Sequence, residues 1–238
     1  MKTKIVSWIR RQVKDAGSKG IVLGLSGGID SCVVAALAKE AVGKLKVLGL
    51  FMPCHSQPQD LADAKIIARQ LGIKTKPVDL TSVYDALLKI LPPAGSLTRA
   101  NLRPRLRMLT LYYFANKLNY LVCGTGNKSE YMVGYFTKHG DSGVDILPLA
   151  NLLKRDVRRL AKELRIPGHI ILKPPTAGLW PGQTDEGEMG ITYDNLDDIL
   201  QRFTDKKKQV LPKRTVFKVK AMMRRSEHKR QGPKICHI

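Results

Sequence analysis

The stretch that most constrains the fold is Ile21-Val22-Leu23-Gly24-Leu25-Ser26-Gly27-Gly28-Ile29-Asp30-Ser31, close to the N-terminus. Apolar residues lead into a Ser-Gly-Gly turn, and Val33-Val34-Ala35-Ala36-Leu37-Ala38 follows with the look of a buried helix. Strand, tight glycine loop and helix in that order aim backbone N–H groups and the positive end of a helix at one spot, which suits phosphate. The loop is shorter than the common G-x-x-x-x-G-K-[ST] nucleotide loop and lacks its lysine. It carries Asp30 where phosphate would lie. An acid there repels phosphate directly, but holds it through Mg²⁺ if a metal is shared between them. The bland alternative is a glycine turn in which Asp30 caps a helix.

The rest of the first half repeats the pattern. Ile5, Trp8, Ile9 and Val13 predict an amphipathic helix over 3–16. Residues 20–25, 46–52, 75–78 and 119–123 read as strands. Helices are predicted after the glycine loop to about Gly43, at 61–71, at 81–91 and from Asn101 to Leu118, where Pro104 is tolerated in the first turn. Strands alternating with helices predict an α/β fold, a doubly wound and mostly parallel sheet covered on both faces. Ligands of such sheets bind at the carboxyl ends of the strands, so the glycine-bearing ends at 24–31 and 124–127 should share one site. The second half is less regular. Residues 134–151 and 174–190 read as functional loops, with helices at 154–164 and 193–203 and some helical pattern at 216–223. The expectation is one domain over 1–238: a core at 20–135, substrate and lid loops at 136–190, and C-terminal helices with a basic tail at 191–238.

Charge narrows the partners. The chain of 238 residues carries 41 Lys and Arg against 20 acids, a net charge of +21. Residues 201–238 alone hold 13 Lys/Arg against two acids. That balance suits nucleic acid, and equally an enzyme of polyanionic nucleotides. Cys32, Cys54, Cys123 and Cys236 lie far apart with no C-x-x-C pair, which argues against metal or redox use. With no apolar run of membrane-spanning length and no secretory signal pattern, the expected location is the cytoplasm.

Four motifs in one order carry a specific resemblance. They are the opening loop; Gly124-Thr125-Gly126-Asn127-Lys128-Ser129-Glu130; Gly134-Tyr135-Phe136-Thr137-Lys138-His139-Gly140-Asp141 with Asp145 and Pro148-Leu149; and Pro175-Thr176-Ala177-Gly178-Leu179-Trp180-Pro181-Gly182-Gln183-Thr184-Asp185-Glu186. The first alone resembles the pyrophosphate loop of ATP pyrophosphatases, the adenine nucleotide alpha-hydrolase-like superfamily. Together they resemble ammonia-dependent NAD⁺ synthetase, across nearly the whole chain. The departure is Ser142, where the family often has glycine.

The resemblance implies a reaction and its residues. The carboxylate of deamido-NAD attacks the α-phosphate of ATP, pyrophosphate leaves, and ammonia displaces AMP from the adenylate. Such a reaction rests on position and electrostatics and needs no nucleophilic side chain. Asp30 and Glu130 become the expected Mg²⁺ ligands, with Thr176 near the metal-bound phosphates. Gly24, Leu25, Ser26, Gly27, Gly28, Ile29, Asp30 and Ser31 should cradle phosphate, the Ser26 and Ser31 hydroxyls donating to it. Thr125 and Lys154 are expected ATP contacts, Lys154 counting with Asp30 and Glu130 as catalytic. Arg105, Lys138 and Asp145 are expected to bind deamido-NAD, although spacing leaves open which of Arg103, Arg105 and Arg107 faces inward. His228-Lys229 matches the pair that closes over both substrates. The acids Asp185, Glu186, Glu188, Asp194, Asp197 and Asp198 read mostly as a solvated face, with Asp185 and Glu186 as exceptions that could attract ammonium or a second cation. The resemblance further implies a homodimer and, as only one helix precedes residue 20, ammonia that is free or delivered by another protein.

Two other readings compete. An RNA-modifying ATP pyrophosphatase would suit the charge but not the motifs from 124 to 190. A non-enzymatic nucleic-acid binder leaves Asp30 and its loop unexplained, and 6% aromatics offer little for base stacking.

Overall fold

A computed structural model of the chain describes residues 1–178, 180, 182–204 and 213–236. In chain order it runs α1 (Lys2–Asp15), β1 (Gly20–Gly24), α2 (Ile29–Val42), β2 (Val47–Phe51), α3 (Pro58–Leu71), β3 (Lys74–Pro77), α4 (Thr81–Ile90), α5 (Ser96–Ala100), α6 (Leu102–Leu118) and β4 (Tyr120–Val122). The helices α7 (Lys128–Val133), α8 (Lys154–Glu163), α9 (Gly168–Leu172), α10 (Asp185–Met189), α11 (Tyr193–Thr204), α12 (Lys213–Arg225) and α13 (Glu227–Arg230) follow.

The four strands form one parallel sheet in the order β3-β2-β1-β4. Strand β1 is central, and Ile21, Val22 and Leu23 are fully buried, as a strand covered on both faces demands. One face is covered by α1, α2 and α3 together with α8, through Ile9, Val33, Leu37, Ile67 and Leu160. The other is covered by α4 and α6, through Tyr84, Leu111 and Ala115 against Val22, Leu50 and Val122. A third apolar cluster joins α7, α11 and α12 around Val133, Tyr193, Leu196 and Val219.

This is the predicted doubly wound α/β fold. From β1 the chain winds outward through β2 and β3, then returns to place β4 on the other flank. The winding therefore reverses between β1 and β4, where open α/β sheets bind ligands. The main apolar cluster extends beyond residue 135, burying Ile146, Leu149, Val157, Leu160 and Ile170. One expectation is corrected: the 174–190 stretch is not loop throughout, because α10 forms with Thr184 accepting a hydrogen bond from Gly187 N. Helices as short as α5, α9 and α10 span too few turns to leave a period in the sequence. The basic tail from Lys206 to Pro212 lies outside the described residues, as do Leu179 and Pro181 of the last motif.

Candidate active site

The loop after β1 is built around Gly27. Its φ of +81° is one L side chains rarely adopt, and a Cβ there would overlap the Asp60 carbonyl oxygen in the first turn of α3. Gly27 thus faces α3, while Gly24, Leu25, Ser26, Gly28, Ile29, Asp30 and Ser31 line a cavity of about 480 Å³. The N-terminus of α2 opens onto the same space, with the unpartnered N–H groups of any helix start. The two serines bond within the loop: Ser26 N donates to Ser31 Oγ (3.2 Å), the Ser31 hydroxyl donates to Gly28 O (2.9 Å), and Ser26 Oγ donates to Ser31 Oγ (3.1 Å). These bonds brace the loop in the shape that lines the cavity.

Asp30 meets the end of β4 across the switch point. Asn127 Nδ2 donates to Asp30 Oδ1 at 3.0 Å. Asn127 also opens α7 with a capping box, accepting from Glu130 N (3.1 Å) while Glu130 Oε2 accepts from Asn127 N (3.4 Å). One buried amide therefore ties Asp30 to the helix that carries Glu130.

Between the two carboxylates stands Lys154, the first residue of α8, only 2% exposed. Its Nζ lies 2.6 Å from Asp30 Oδ2 and 3.1 Å from Glu130 Oε1, and 4.9 Å from the centre of the Tyr193 ring. The Tyr193 hydroxyl lies 3.1 Å from Glu130 Oε1 and 2.8 Å from Asp185 Oδ2. Two carboxylates thus pair with one ammonium in a largely buried space, and Tyr193 links a third, Asp185, to the cluster. Burial pushes the Glu130 carboxyl up to about 7; Lys154 opposes the shift, and Asp30 and Asp185 add to it. Burial likewise raises Asp185. The Lys154 ammonium is held above its ordinary value, because Asp30 and Glu130 outweigh its loss of water.

The donor set suits a hard divalent cation. All donors are oxygens, negative charge exceeds positive, and Asp185 Oδ1 is buried without a hydrogen-bond partner. Among the described residues, however, no three His, Cys, Asp or Glu side chains converge as a ready metal cage. The lysine lies where Asp30 and Glu130 come together. Thr176 lines the same cavity and accepts from Gly178 N at 3.0 Å; Thr125 lines it beside the end of β4.

The residues expected to bind a dinucleotide divide. Arg105 donates to Lys138 O (3.3 Å) and Lys138 Nζ to His228 O (2.6 Å), a chain of cations outside the wall that Pro104, Thr137 and Gly140 present to the cavity. Lys229 reaches the cavity, its Nζ donating to Gly134 O (2.8 Å) and Phe136 O (2.9 Å). Asp145 stands apart from them. It accepts from Val122 N (2.7 Å) and the Tyr112 hydroxyl (3.0 Å), so it fixes the end of β4 against α6 and lines no part of the cavity.

Sequence reasoning missed several residues. Of the three arginines it is Arg107 that lines the cavity, donating to Met52 O (3.1 Å) and Ser56 Oγ (3.3 Å); Arg103 lies over the Tyr84 ring. Asp197 is not part of a solvated face: it is 0% exposed. It accepts from the Ser129 hydroxyl and from Arg155 N (2.8 Å), and Ser129 Oγ in turn accepts from Lys154 N (3.0 Å). Asp197 thereby locks the start of α8 to α7 and sets the Lys154–Glu130 spacing. Asn127 carried a readable signal, an Asn three residues before a Glu. At the other end of α7, Arg230 donates to Tyr131 O (3.3 Å) and Met132 O (2.8 Å), and to Met223 O of α12 (2.6 Å), so it ties the ends of the two helices together. Gly134 makes this docking possible, since a Cβ there would overlap Ser226.

A phosphate-type loop and a buried acid–lysine cluster at the switch point of a parallel sheet define a nucleotide-dependent α/β enzyme. Comparison with known proteins makes the class specific: the chain belongs to the NAD synthase family, whose model it matches over residues 1–233. It is thus an ATP-using ligase of NAD biosynthesis. It is 48% identical to the NH3-dependent NAD⁺ synthetase of Carboxydothermus hydrogenoformans, over 98% of this chain and 95% of that one. The Methanocaldococcus jannaschii synthetase of the same name is 46% identical, over 97% and 93%. Among solved structures, NMN synthetase from Francisella tularensis superposes with a TM-score of 0.92 at 38% identity, covering 100% of this chain and 97% of that one. The NH3-dependent NAD synthetase of Campylobacter jejuni gives 0.86 at 30%, covering 99% and 97%.

Proposed function

We propose that this chain amidates deamido-NAD with ammonia at the expense of ATP, yielding NAD, AMP and pyrophosphate through an adenylated intermediate. The observation that carries the reading is the Asp30–Lys154–Glu130 cluster set beside the glycine loop. In it Asp30 and Glu130, with Thr176, would hold Mg²⁺. The metal, when bound, offsets charge on the triphosphate and on the departing pyrophosphate.

The chain's own residues do the remaining work. The backbone of 24–31 and the start of α2 hold the phosphates in line for attack by the nicotinate carboxylate. Lys154 supplies a fixed positive charge within reach of the leaving group and needs no reorganisation as charge develops. Thr125, Arg107 and Lys229 line the cavity in which the nucleotide halves bind, with Arg105, Lys138 and His228 at its rim, in position for the second substrate. Asp145 supports that wall from behind, as a positioning residue. Enclosure of the adenylate keeps water from competing with ammonia. The chain's excess positive charge matches these polyanionic substrates, so nucleic acid is not required to explain it, and the family relatives favour this reading over an RNA-modifying one.

Purified protein given ATP, Mg²⁺, ammonium and deamido-NAD is expected to release AMP, pyrophosphate and NAD in equal amounts, read by chromatography. Appearance of ADP and phosphate instead would overturn it. The name of the F. tularensis neighbour makes the mononucleotide counterpart the second substrate to test. Faster turnover of that compound would reassign the substrate while keeping the chemistry.

The reading brings a homodimer and a cytoplasmic location. Leu109 and Tyr113, one turn apart on α6, are exposed, an apolar patch that a second copy would cover. Sedimentation equilibrium is expected to give twice the chain mass of 26.5 kDa; a monomer at micromolar concentration refutes the dimer. No helix among the described residues is long and apolar enough to cross a membrane.

A further inference from the structure

A second charged cluster adjoins the phosphate loop on the cavity lining, and the reaction described above does not use it. Lys173 Nζ lies 2.7 Å from Asp60 Oδ1 and 2.8 Å from Asp63 Oδ2. Asp63 is buried and also accepts from Gln59 Nε2 (2.8 Å), with His169 Nε2 3.3 Å away. Burial works against the Lys173 charge, yet its hydrogen bonds to the two aspartates hold the ammonium above its ordinary value. The Asp63 carboxyl is held below its own in spite of burial, through Lys173 and then Gln59.

The location of the cluster gives it meaning. Asp60 and Asp63 occupy the first turns of α3, and it is against the Asp60 carbonyl that Gly27 of the phosphate loop packs. Lys173 directly precedes Pro174-Pro175-Thr176, and Lys173, Pro174, Pro175, Thr176 and Asp60 all line the cavity. The two prolines stiffen the segment that follows the lysine, so a constraint at 173 is passed on to Thr176. The ion pairs join the start of the 174–178 segment to α3, beside the His169–Asp63 contact of the preceding helix.

We infer that Lys173 is a positioning residue for the triphosphate: it clasps the 174–178 segment to α3, and through α3 to the phosphate loop. The inference rests on the reading that ATP occupies this cavity. Its effect is on ATP rather than on the second substrate, because the clasp holds the turn of α3 against which Gly27 of the phosphate loop packs.

The test is calorimetric titration with ATP and Mg²⁺, alongside steady-state KM values for both substrates, on four variants. Lys173→Met should weaken ATP binding and raise its KM about tenfold, with the deamido-NAD KM within about twofold of wild type. Lys173→Arg, which keeps the charge and its two partners, should recover most of the loss. Asp60→Asn should raise the ATP KM in the same direction, and Lys173→Met/Asp60→Asn should be no worse than Lys173→Met alone, since both remove one clasp.

The sign of the Asp60→Asn effect is decisive. If Lys173 instead contacted phosphate directly, removing the Asp60 charge would free it and tighten ATP binding. Tighter binding, unchanged binding in Lys173→Met, or an equal rise in both KM values with a lowered unfolding temperature would each overturn the proposal. Should Lys173→Met not fold, Asp60→Asn alone decides by the same sign. Wild-type protein that binds ATP but does not amidate deamido-NAD would remove the substrate assignment and leave the clasp to be judged by titration.

Discussion

Replacing Lys154 with methionine is expected to lower turnover by roughly a thousandfold or more, the scale of losing a preorganised charge at a transition state. Methionine fills much of the same space, so the loss reports charge more than packing. It should also alter stability in a pH-dependent way. In the wild type the ammonium at 2.6 and 3.1 Å holds Asp30 and Glu130 together. Breaking a buried pair by removing one partner costs on the order of 3–5 kcal/mol, unless a carboxyl takes up a proton. Burial already pushes the Glu130 carboxyl above its ordinary range. An acid whose folded pKa is raised binds its proton more tightly folded than unfolded, so stability falls as pH rises from the unfolded pKa to the folded one. The unfolding temperature of the variant should therefore drop more steeply than that of wild type between about pH 5 and 8. Parallel curves with retained turnover would show that Lys154 is not the counter-ion of this cluster.

The second large effect is expected from Gly27→Ala. The positive φ costs an L residue about 1–2 kcal/mol, and the added methyl meets a backbone oxygen that cannot rotate aside. Either the loop or the first turn of α3 must move. Since the loop holds phosphate through its backbone, turnover should fall by about a hundredfold, and stability by roughly 2–4 kcal/mol. Gly28 is the internal comparison for stability. It has extended backbone, and a methyl added there would have Ser26 Oγ as its nearest neighbour, 3.5 Å away, so Gly28→Ala should leave the unfolding temperature nearly unchanged. Equal unfolding temperatures for the two variants would refute the packing argument.

Much of the fold is legible in the sequence because it follows from short-range pattern. Apolar runs ending in glycine give β1 and its loop, and helical spacing marks α1, α3, α6 and α11. The site is legible in part, through motif order, which brings Asp30, Glu130, Lys154, Thr125 and Thr176 to one cavity. What the motifs conceal is the use of each charge. Motif order does not show that Lys154 also stands between two carboxylates, nor that the Asp145 carboxylate also accepts from Val122 N.

Asp197 is the instructive case. On a helix it shares a face with Tyr193, Leu196 and Leu200, so a charge stands on the very stripe that marks the buried side. That conflict between polarity and position is visible in the sequence. Its resolution is not, because Ser129 and Arg155 come from other elements. The choice among Arg103, Arg105 and Arg107 has the same character: within little more than one turn of helix they point in different directions, and only the packing of α6 on the sheet decides which faces the cavity.

The docking of Arg230 on the end of α7 bears on how the protein is made. Synthesis runs from the N-terminus, so the sheet, the glycine loop and the helix bearing Glu130 all leave the ribosome before the residues that close that helix's far end. The contact between Arg230 and the end of α7 therefore forms only after the helix bearing Glu130 has emerged, and folding of that helix end waits on a segment made almost a hundred residues later.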